Sequence, residues 1–296
     1  MIPKIICYGE TLWDIFPNKK VIGGAPLNVA LRLHSLGARV SIISSIGNDE
    51  DGVNLIKYLK SQKLDTSSVQ IHKKLDTGNV QVHLDETNTA TYTISEPVAW
   101  DEILVQNSDL TNIPSAHAFV FGSLACRNKV SKDTLLRYLP LAKFKVFDAN
   151  LRPPFYNLET VVEFMKEADL IKLNDEELNE LMNFLDIKST SIENQTINLS
   201  EVTGTDHICI TLGENGALFY TNGKFYRNYG YKVQVIDTVG AGDSFLASLI
   251  YQHINGIEPQ QAIDFSCAVG SLVASKKGAN ASVSKEEVQK LQNSHK

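Results

Sequence analysis

The chain reads as an α/β protein with a mainly parallel central sheet, helices on both faces, and a small second β-sheet standing off it. Three observations predict this. Over most of the 296 residues, short runs rich in β-branched and aromatic residues alternate with segments of helical apolar period, the succession that builds parallel strands joined by crossover helices. Two stretches break that succession with strict apolar-polar alternation, the mark of half-buried antiparallel strands. The length suits one large core carrying a smaller appendage, so 1–296 is read as a single domain with lid segments near 11–22 and 78–100.

Taken in order, Lys4-Ile5-Ile6-Cys7-Tyr8-Gly9 is the first strand. Thr11 to Phe16 and Val21-Ile22 form a polar-alternating pair across a Pro-Asn-Lys-Lys turn. Residues 26–36 are helical, since Pro26 suits a first helical position and Gly37 a C-terminal cap. A strand at 39–46 and a helix at 52–61 follow. Residues 79–84 place Val80, Val82 and Leu84 on one face, and 90–94 repeat the pattern with Ala90, Tyr92 and Ile94, giving a hairpin across Asp85-Glu86-Thr87-Asn88. Two readings of the alternating pieces stand open: a lid over a site, or an edge extension without a mobile role. Further strands are expected at 116–121, 144–148, 169–173 and 206–211, with helices at 131–139, 158–167, 175–185, 240–254, 259–275 and 284–292.

Bulk properties exclude several function classes. The formal charge is −6 and the basic residues are scattered, which argues against a surface for nucleic acid. Cys7, Cys126, Cys209 and Cys267 lie far apart among apolar neighbours, without the spacing of a zinc or redox motif, so buried free thiols are expected. No apolar run is long enough to span a bilayer, and Met1 leads at once into the first strand without a leader pattern, which predicts a cytoplasmic protein.

The residues most suited to chemistry are Asp237-Thr-Val-Gly-Ala-Gly-Asp243. The amides of Gly240, Ala241 and Gly242 are expected to converge at a helix N-terminus, where unpaired donors and the positive end of the helix dipole favour a phosphate. Asp243 adds a carboxylate beside that cradle, which fits a base next to a transferring phosphoryl group. The other reading is an ordinary acidic first turn of a helix.

Asp14, amid Leu12, Trp13, Ile15 and Phe16, needs a partner or a ligand, because uncompensated burial of a carboxylate is costly. Gly23-Gly24 brings bare backbone to a helix start, and Asn28 on its first turn offers the donor and acceptor that vicinal sugar hydroxyls require; a tight turn and a solvated side chain are the competing readings. Arg152 and the Lys172-to-Glu177 segment follow strands, at the edge where ligands collect in open α/β sheets. Arg152 and Lys172 suit phosphate charge, while Asn174 and Glu177 suit a hydrated Mg²⁺ or, equally, a helix start. Thr211-Leu-Gly213-Glu-Asn-Gly216 reads as a strand ending in a glycine turn and, seen alone, would pass for a hairpin.

Together these segments resemble the ribokinase-like, or PfkB, family of carbohydrate kinases over nearly the whole chain. Gly23 to Gly52 is similar to the N-terminal signature and Asp237 to Asp243 with its helix to the C-terminal one, while Asn174-x-x-Glu177 and Thr211-x-Gly213-x-x-Gly216 match the metal-phosphate and nucleotide motifs. The resemblance implies a ribokinase-like fold whose β lid closes over a sugar, with ATP and Mg²⁺ as cofactors. Asp243 would be the base and Gly240, Ala241 and Gly242 the anion hole. Asp14, Gly24 and Asn28 would hold the sugar, with Arg152 near the acceptor or the triphosphate. Thr211, Gly213, Gly216, Asn174 and Lys172 would meet the nucleotide, Glu177 would hold Mg²⁺ through water, and Asp237, Val239, Gly278 and Ser282 would enclose K⁺. A homodimer through the lid edges is also implied.

Within the family, residues 77–85, 96–101 and 121–127 look most like bacterial fructokinases. The helix opening Gly-Gly-Ala-Pro-Leu-Asn departs from the Gly-Gly-Lys-Gly-Ala-Asn of ribokinases. Transfer from MgATP to a primary hydroxyl of fructose is therefore expected. Ribose, ketodeoxygluconate and nucleoside kinases, and a catalytically silent sugar or nucleotide sensor, are the alternatives. A dinucleotide oxidoreductase ranks lower, since no Gly-x-Gly-x-x-Gly follows the first strand.

Overall fold

A computed structural model describes residues 2–84, 90–189 and 191–294, with backbone alone at 83, 84 and 90–92. The chain runs β1 (Lys4–Tyr8), β2 (Leu12–Phe16), β3 (Lys19–Gly23), α1 (Ala25–Ser35), β4 (Arg39–Gly47), α2 (Glu50–Ser61), β5 (Val69–His72), β6 (Gly78–Leu84) and β7 (Ala90–Ile94). It continues through α3 (Asn107–Asn112), β8 (Ala118–Gly122), α4 (Lys129–Tyr138), β9 (Lys145–Asp148), α5 (Leu158–Glu167), β10 (Leu170–Asn174), α6 (Asp175–Phe184) and α7 (Ile192–Thr203). The last elements are β11 (His207–Thr211), β12 (Ala217–Thr221), β13 (Lys224–Asn228), α8 (Ala241–Ile254), α9 (Pro259–Ala274) and α10 (Lys285–Asn293).

The main sheet has nine strands in the order β13-β12-β11-β10-β9-β8-β1-β4-β5. Every pairing from β5 to β11 is parallel, and β12 and β13 extend the sheet as an antiparallel edge. Because strand side chains alternate between faces, each inner strand feeds two cores. Ile6, Tyr8, Phe119, Phe121 and Phe147 pack on one face with α4 to α7, while Ile5, Cys7, Val120, Val146 and Leu170 pack on the other with α1 and α8. All four cysteines are buried free thiols, as their neighbours predict.

The small sheet has the order β3-β2-β6-β7. β2 pairs antiparallel with β3 and parallel with β6, and β6 pairs antiparallel with β7. The β2–β3 turn is tighter than expected: Lys19 and Lys20 belong to β3, opposite Phe16 and Ile15, leaving Pro17-Asn18 as the connection. The expected turn over Asp85-Glu86-Thr87-Asn88 lies outside the described residues.

Helix starts follow side-chain chemistry. Asp49, Asn128, Asn157, Asn174, Ser191 and Ser284 each accept an amide of the helix they precede, which satisfies donors that lack intrahelical partners. Among the described residues no helix is long and apolar enough to cross a membrane.

Candidate active site

The C-terminal ends of β1, β9 and β10, the start of α1 and the loop before α8 meet beneath the small sheet and enclose a cavity of ≈ 330 Å³. Leu12, Phe16, Val80 and Ile94 of the small sheet form its apolar roof, and Asp14 projects from the same sheet. Glu10, Asn28, Arg152, Lys172 and Asp243 form the polar side. A molecule with one apolar face and a rim of hydroxyls matches such a lining.

Backbone geometry creates the crossing point of β1 and α1. Gly24 has φ 107°, and a Cβ there would lie 2.5 Å from the carbonyl oxygen of Glu10. A Cβ on Gly23 would strike the Asp14 carboxylate. Gly24 is therefore required by close approach to backbone as well as by its φ, and Gly23 leaves room for the Asp14 side chain. They let α1 begin against the first strand and set Asn28, buried on its first turn, toward the cavity.

At the other side, Gly240 has φ 75° and packs so tightly on Ala279 that a Cβ would sit 2.5 Å from its Cα. Asp237 shapes this loop by accepting the Val239 amide at 3.1 Å and the Gly278 amide at 3.0 Å. Ala241, expected among the anion donors, gives its N–H to Thr238 O at 3.2 Å, so the open donors of the cradle come from its glycines. The Lys172 ammonium flanks them, 3.7 Å from where a Gly242 Cβ would stand.

Asp243 follows on the first turn of α8 and accepts the Asn28 Nδ2 at 2.8 Å. Burial and the nearby Asp148 push its carboxyl up to about 6, against the pull of Asn28, Lys172 and Arg152. Asn28 Oδ1 in turn accepts Asn280 Nδ2 at 3.0 Å. The vicinal-hydroxyl role expected for Asn28 thus shares its amide with an internal network. Asp14 is pushed up to about 6 by burial and by Asp243.

Lys172 ion-pairs with Asp148 at 2.9 Å, both side chains buried. Burial works against its charge, but Asp148, Glu177 and Asp243 hold its pKa above the ordinary value. Asn174 and Glu177 form a reciprocal cap at the start of α6: Asn174 Oδ1 accepts the Glu177 amide at 2.7 Å and Glu177 Oε2 the Asn174 amide at 2.8 Å. Glu177 Oε1 accepts the Leu151 amide at 2.8 Å, which ties the Arg152 loop to α6. With both oxygens engaged, Glu177 suits a water-mediated contact to a cation rather than direct ligation.

Thr211, Gly213 and Gly216 stand outside this cavity, at the end of β11 beside Asn174. Thr211 Oγ1 donates to Leu173 O at 3.2 Å. Gly216, with φ 86°, lies where a Cβ would collide with Asn228 O, so it joins the glycine turn to the β12–β13 edge. Gly278 and Ser282 flank the turn under Asp237, where Lys276 Nζ donates to Ser282 O at 2.6 Å. Among the described residues no three His, Cys, Asp or Glu side chains gather as a metal centre.

Sequence reasoning missed Glu10. It is 3 % exposed, its Oε2 has no partner, and burial pushes it up to about 7, with Asp243 adding to the rise. The signal available was its place directly after a strand and glycine, at the ligand-collecting edge of the sheet. Asp148, also buried with one unpartnered oxygen, was named only as a strand end. Asn150, with φ 37°, turns the chain from β9 into the cavity wall.

This constellation, a carboxylate and glycine amides at a helix start under a β cover, defines a phosphotransferase class. The model of the pfkB family of carbohydrate kinases matches residues 3–286, and the chain belongs to that family. It is 26% identical to a probable fructokinase-2 of Arabidopsis thaliana, over 93% of this chain and 91% of that one. A fructokinase of Xylella fastidiosa with bound ATP has the same fold, with TM-score 0.87, 22% identity and coverage of 99% and 98% of the two chains. A Vibrio cholerae fructokinase in its fructose, ADP and calcium form gives TM-score 0.84 at 24% identity, covering 98% and 99%.

Proposed function

We propose that this sugar kinase transfers the γ-phosphoryl group of ATP to a primary hydroxyl of fructose, giving fructose 6-phosphate. The single observation that carries the reading is the placement of Asp243: held by Asn28, flanked by the glycine amides and Lys172, and lining a cavity roofed by the small sheet.

Asp14, Glu10 and Asn28 meet hydroxyl groups of the acceptor, while the apolar roof covers its ring and excludes water. Asp243 takes the proton of the attacking hydroxyl. The open amides around Gly240 and Gly242 receive the equatorial oxygens of the phosphoryl group, and Lys172 and Arg152 offset its charge. The turn at Thr211, Gly213 and Gly216 carries the nucleotide, beyond the cap formed by Asn174 and Glu177. Glu177 would hold a hydrated Mg²⁺ through its water shell, and the ion would supply charge neutralisation for the phosphates. A bound K⁺ would be held at the Asp237 loop by Val239, Gly278 and Ser282. The similarity to proteins named fructokinases supports the ketohexose.

A panel of fructose, ribose, ketodeoxygluconate and adenosine with MgATP, with and without K⁺, tests the reading. Fructose is expected to give the highest kcat/KM, and Asp243→Asn to lower kcat by roughly 10²–10⁴ while nucleotide binding persists. Preference for another acceptor replaces fructose in the proposal, and full activity of the variant removes the assigned base. The outer strands β3 and β7 of the small sheet are the surfaces proposed for a homodimer. A monomeric sedimentation profile overturns that part.

A further inference from the structure

We propose that Asn280 is a positioning residue that sets which end of the Asn28 amide faces Asp243. Three side chains form one relay: Asn280 Nδ2 donates to Asn28 Oδ1 at 3.0 Å, and Asn28 Nδ2 donates to Asp243 Oδ2 at 2.8 Å. The two ends of an asparagine amide are almost the same shape, so packing around Asn28 does not choose between them. Hydrogen bonding chooses. With its NH₂ toward Asp243, Asn28 stabilises the ionised carboxylate; with its oxygen there, two acceptors face each other and ionisation is opposed. A donor at position 280 favours the first arrangement.

The turn carrying Asn280 is fixed by its neighbours, so the donor arrives at a defined place. Gly278 N–H bonds Asp237 Oδ2 at 3.0 Å, Ala279 packs against Gly240, and Ala281 O accepts Arg32 Nη2 at 2.6 Å. Of these four consecutive residues, Gly278, Ala279 and Asn280 meet the α8 loop and Asn28, and Ala281 anchors the turn to α1. The charged groups that act on Asp243 from the surrounding elements are Asp148, Lys172 and Arg152, with Glu10 and Asp14 facing it across the cavity. None of them contacts the Asn28 amide oxygen in the described structure; the carboxylate draws the NH₂ end when ionised, and Asn280 is the group that holds the oxygen end away from it.

The catalytic consequence rests on the base role proposed for Asp243, whereas the relay does not, and the test separates the two. Asn280→Asp keeps the shape but offers only acceptors, which draws the Asn28 NH₂ away from Asp243. Asn280→Ala removes the director without reversing it. Side-chain ¹³C NMR titration, with the Asp243 signal assigned through Asp243→Asn, reads the carboxyl pKa without turnover. Asn280→Asp is expected to raise it most and Asn280→Ala less, with thermal midpoints near that of the parent. In an Asn28→Ala background the Asn280→Asp effect should vanish.

In kinetics with fructose and MgATP, the acid limb of kcat/KM should move to higher pH in the same order, with kcat falling several-fold more than KM changes. A residue that merely supports the fold predicts the opposite order, since the isosteric variant disturbs packing less. An unmoved Asp243 titration in Asn280→Asp overturns the proposal, as does a shift that persists without Asn28, which would be charge acting through space. Absence of turnover in the parent with every acceptor would instead overturn the kinase reading and leave the titration to decide the relay.

Discussion

Asp243 and Glu10 face one cavity, and both carboxyls are raised chiefly by the same cause, burial. The base role proposed for Asp243 requires an ionised carboxylate, so kcat/KM is expected to fall as pH drops through about 6, approaching tenfold per pH unit below it. Asp148 raises Asp243 and Lys172 lowers it, so two substitutions should move that limb in opposite directions. Asp148→Asn moves it to lower pH. Lys172→Met moves it to higher pH, and it also leaves Asp148 buried and unpaired, costing about 3–5 kcal/mol of stability. Movement of both limbs the same way would mean that neither charge governs the base.

For Glu10 the linkage concerns stability. Its folded pKa of about 7 exceeds the ordinary 4.5, so the folded state keeps a proton that the unfolded state loses between these values. Its contribution is complete below pH 4.5 and lost as pH rises through 7. Glu10→Gln should therefore raise stability at pH 8 by up to about 3 kcal/mol and change little at pH 4. Denaturant melts at both pH values check this, and an equal effect at each would assign Glu10 a purely steric part.

At the scale of elements, the loop between Asp237 and α8 carries the site through backbone shape. Gly240→Ala combines a left-handed φ of 75° with collision against Ala279, whereas Gly204→Ala, at φ 72° beyond α7, meets open space. The second should cost about 1–2 kcal/mol from backbone strain alone. The first should cost more and abolish turnover, because the chain must shift where the amides are aimed. Equal melting points and a fully active Gly240→Ala enzyme would show that this loop tolerates a different path. The same loop was legible in the sequence, since glycines before an apolar-periodic helix announce both the turn and the start of α8.

Other elements were hidden for physical reasons. β5 is four residues, Val69–His72, with exposed or half-exposed positions, too short for a period to register. In α7 the buried positions are Thr196, Leu199 and Thr203, so two threonines mask the apolar stripe; each hydroxyl bonds a carbonyl one turn back, which permits its burial. The glycine turn after Thr211 has the look of a hairpin, and β11 and β12 pair antiparallel across it; β13, which pairs with β12 beyond them, was not expected. The Asn28–Asp243 pair escaped because 215 residues separate its members, and a single sequence holds no record of such a contact. The Asn174–Glu177 cap was legible from spacing, although the two readings of that motif, metal site and helix start, use the same residues.

Across the whole molecule, the cavity draws on segments near 10–28, 150–152, 172 and 238–243, so both ends of the chain and the middle of the main sheet converge on it. A ligand that bridges these walls binds the folded chain alone and must raise its unfolding temperature. At a hundred times its dissociation constant a single ligand adds about 2.7 kcal/mol, equivalent to several degrees for a domain of this size. Fructose alone should produce this shift, and a non-hydrolysable ATP analogue with Mg²⁺ should add to it, because the cavity proposed for the acceptor and the turn at Thr211, Gly213 and Gly216 proposed for the nucleotide are separate places on the sheet edge. Asp14→Ala removes a polar group of the small sheet from the cavity while leaving the turn proposed for the nucleotide untouched. It should therefore abolish the fructose-dependent rise and preserve the nucleotide-dependent one. Scanning calorimetry of parent and variant with each ligand decides the matter. Loss of both shifts together would mean that the small sheet organises the entire cleft, and retention of both would move the acceptor to another part of the surface.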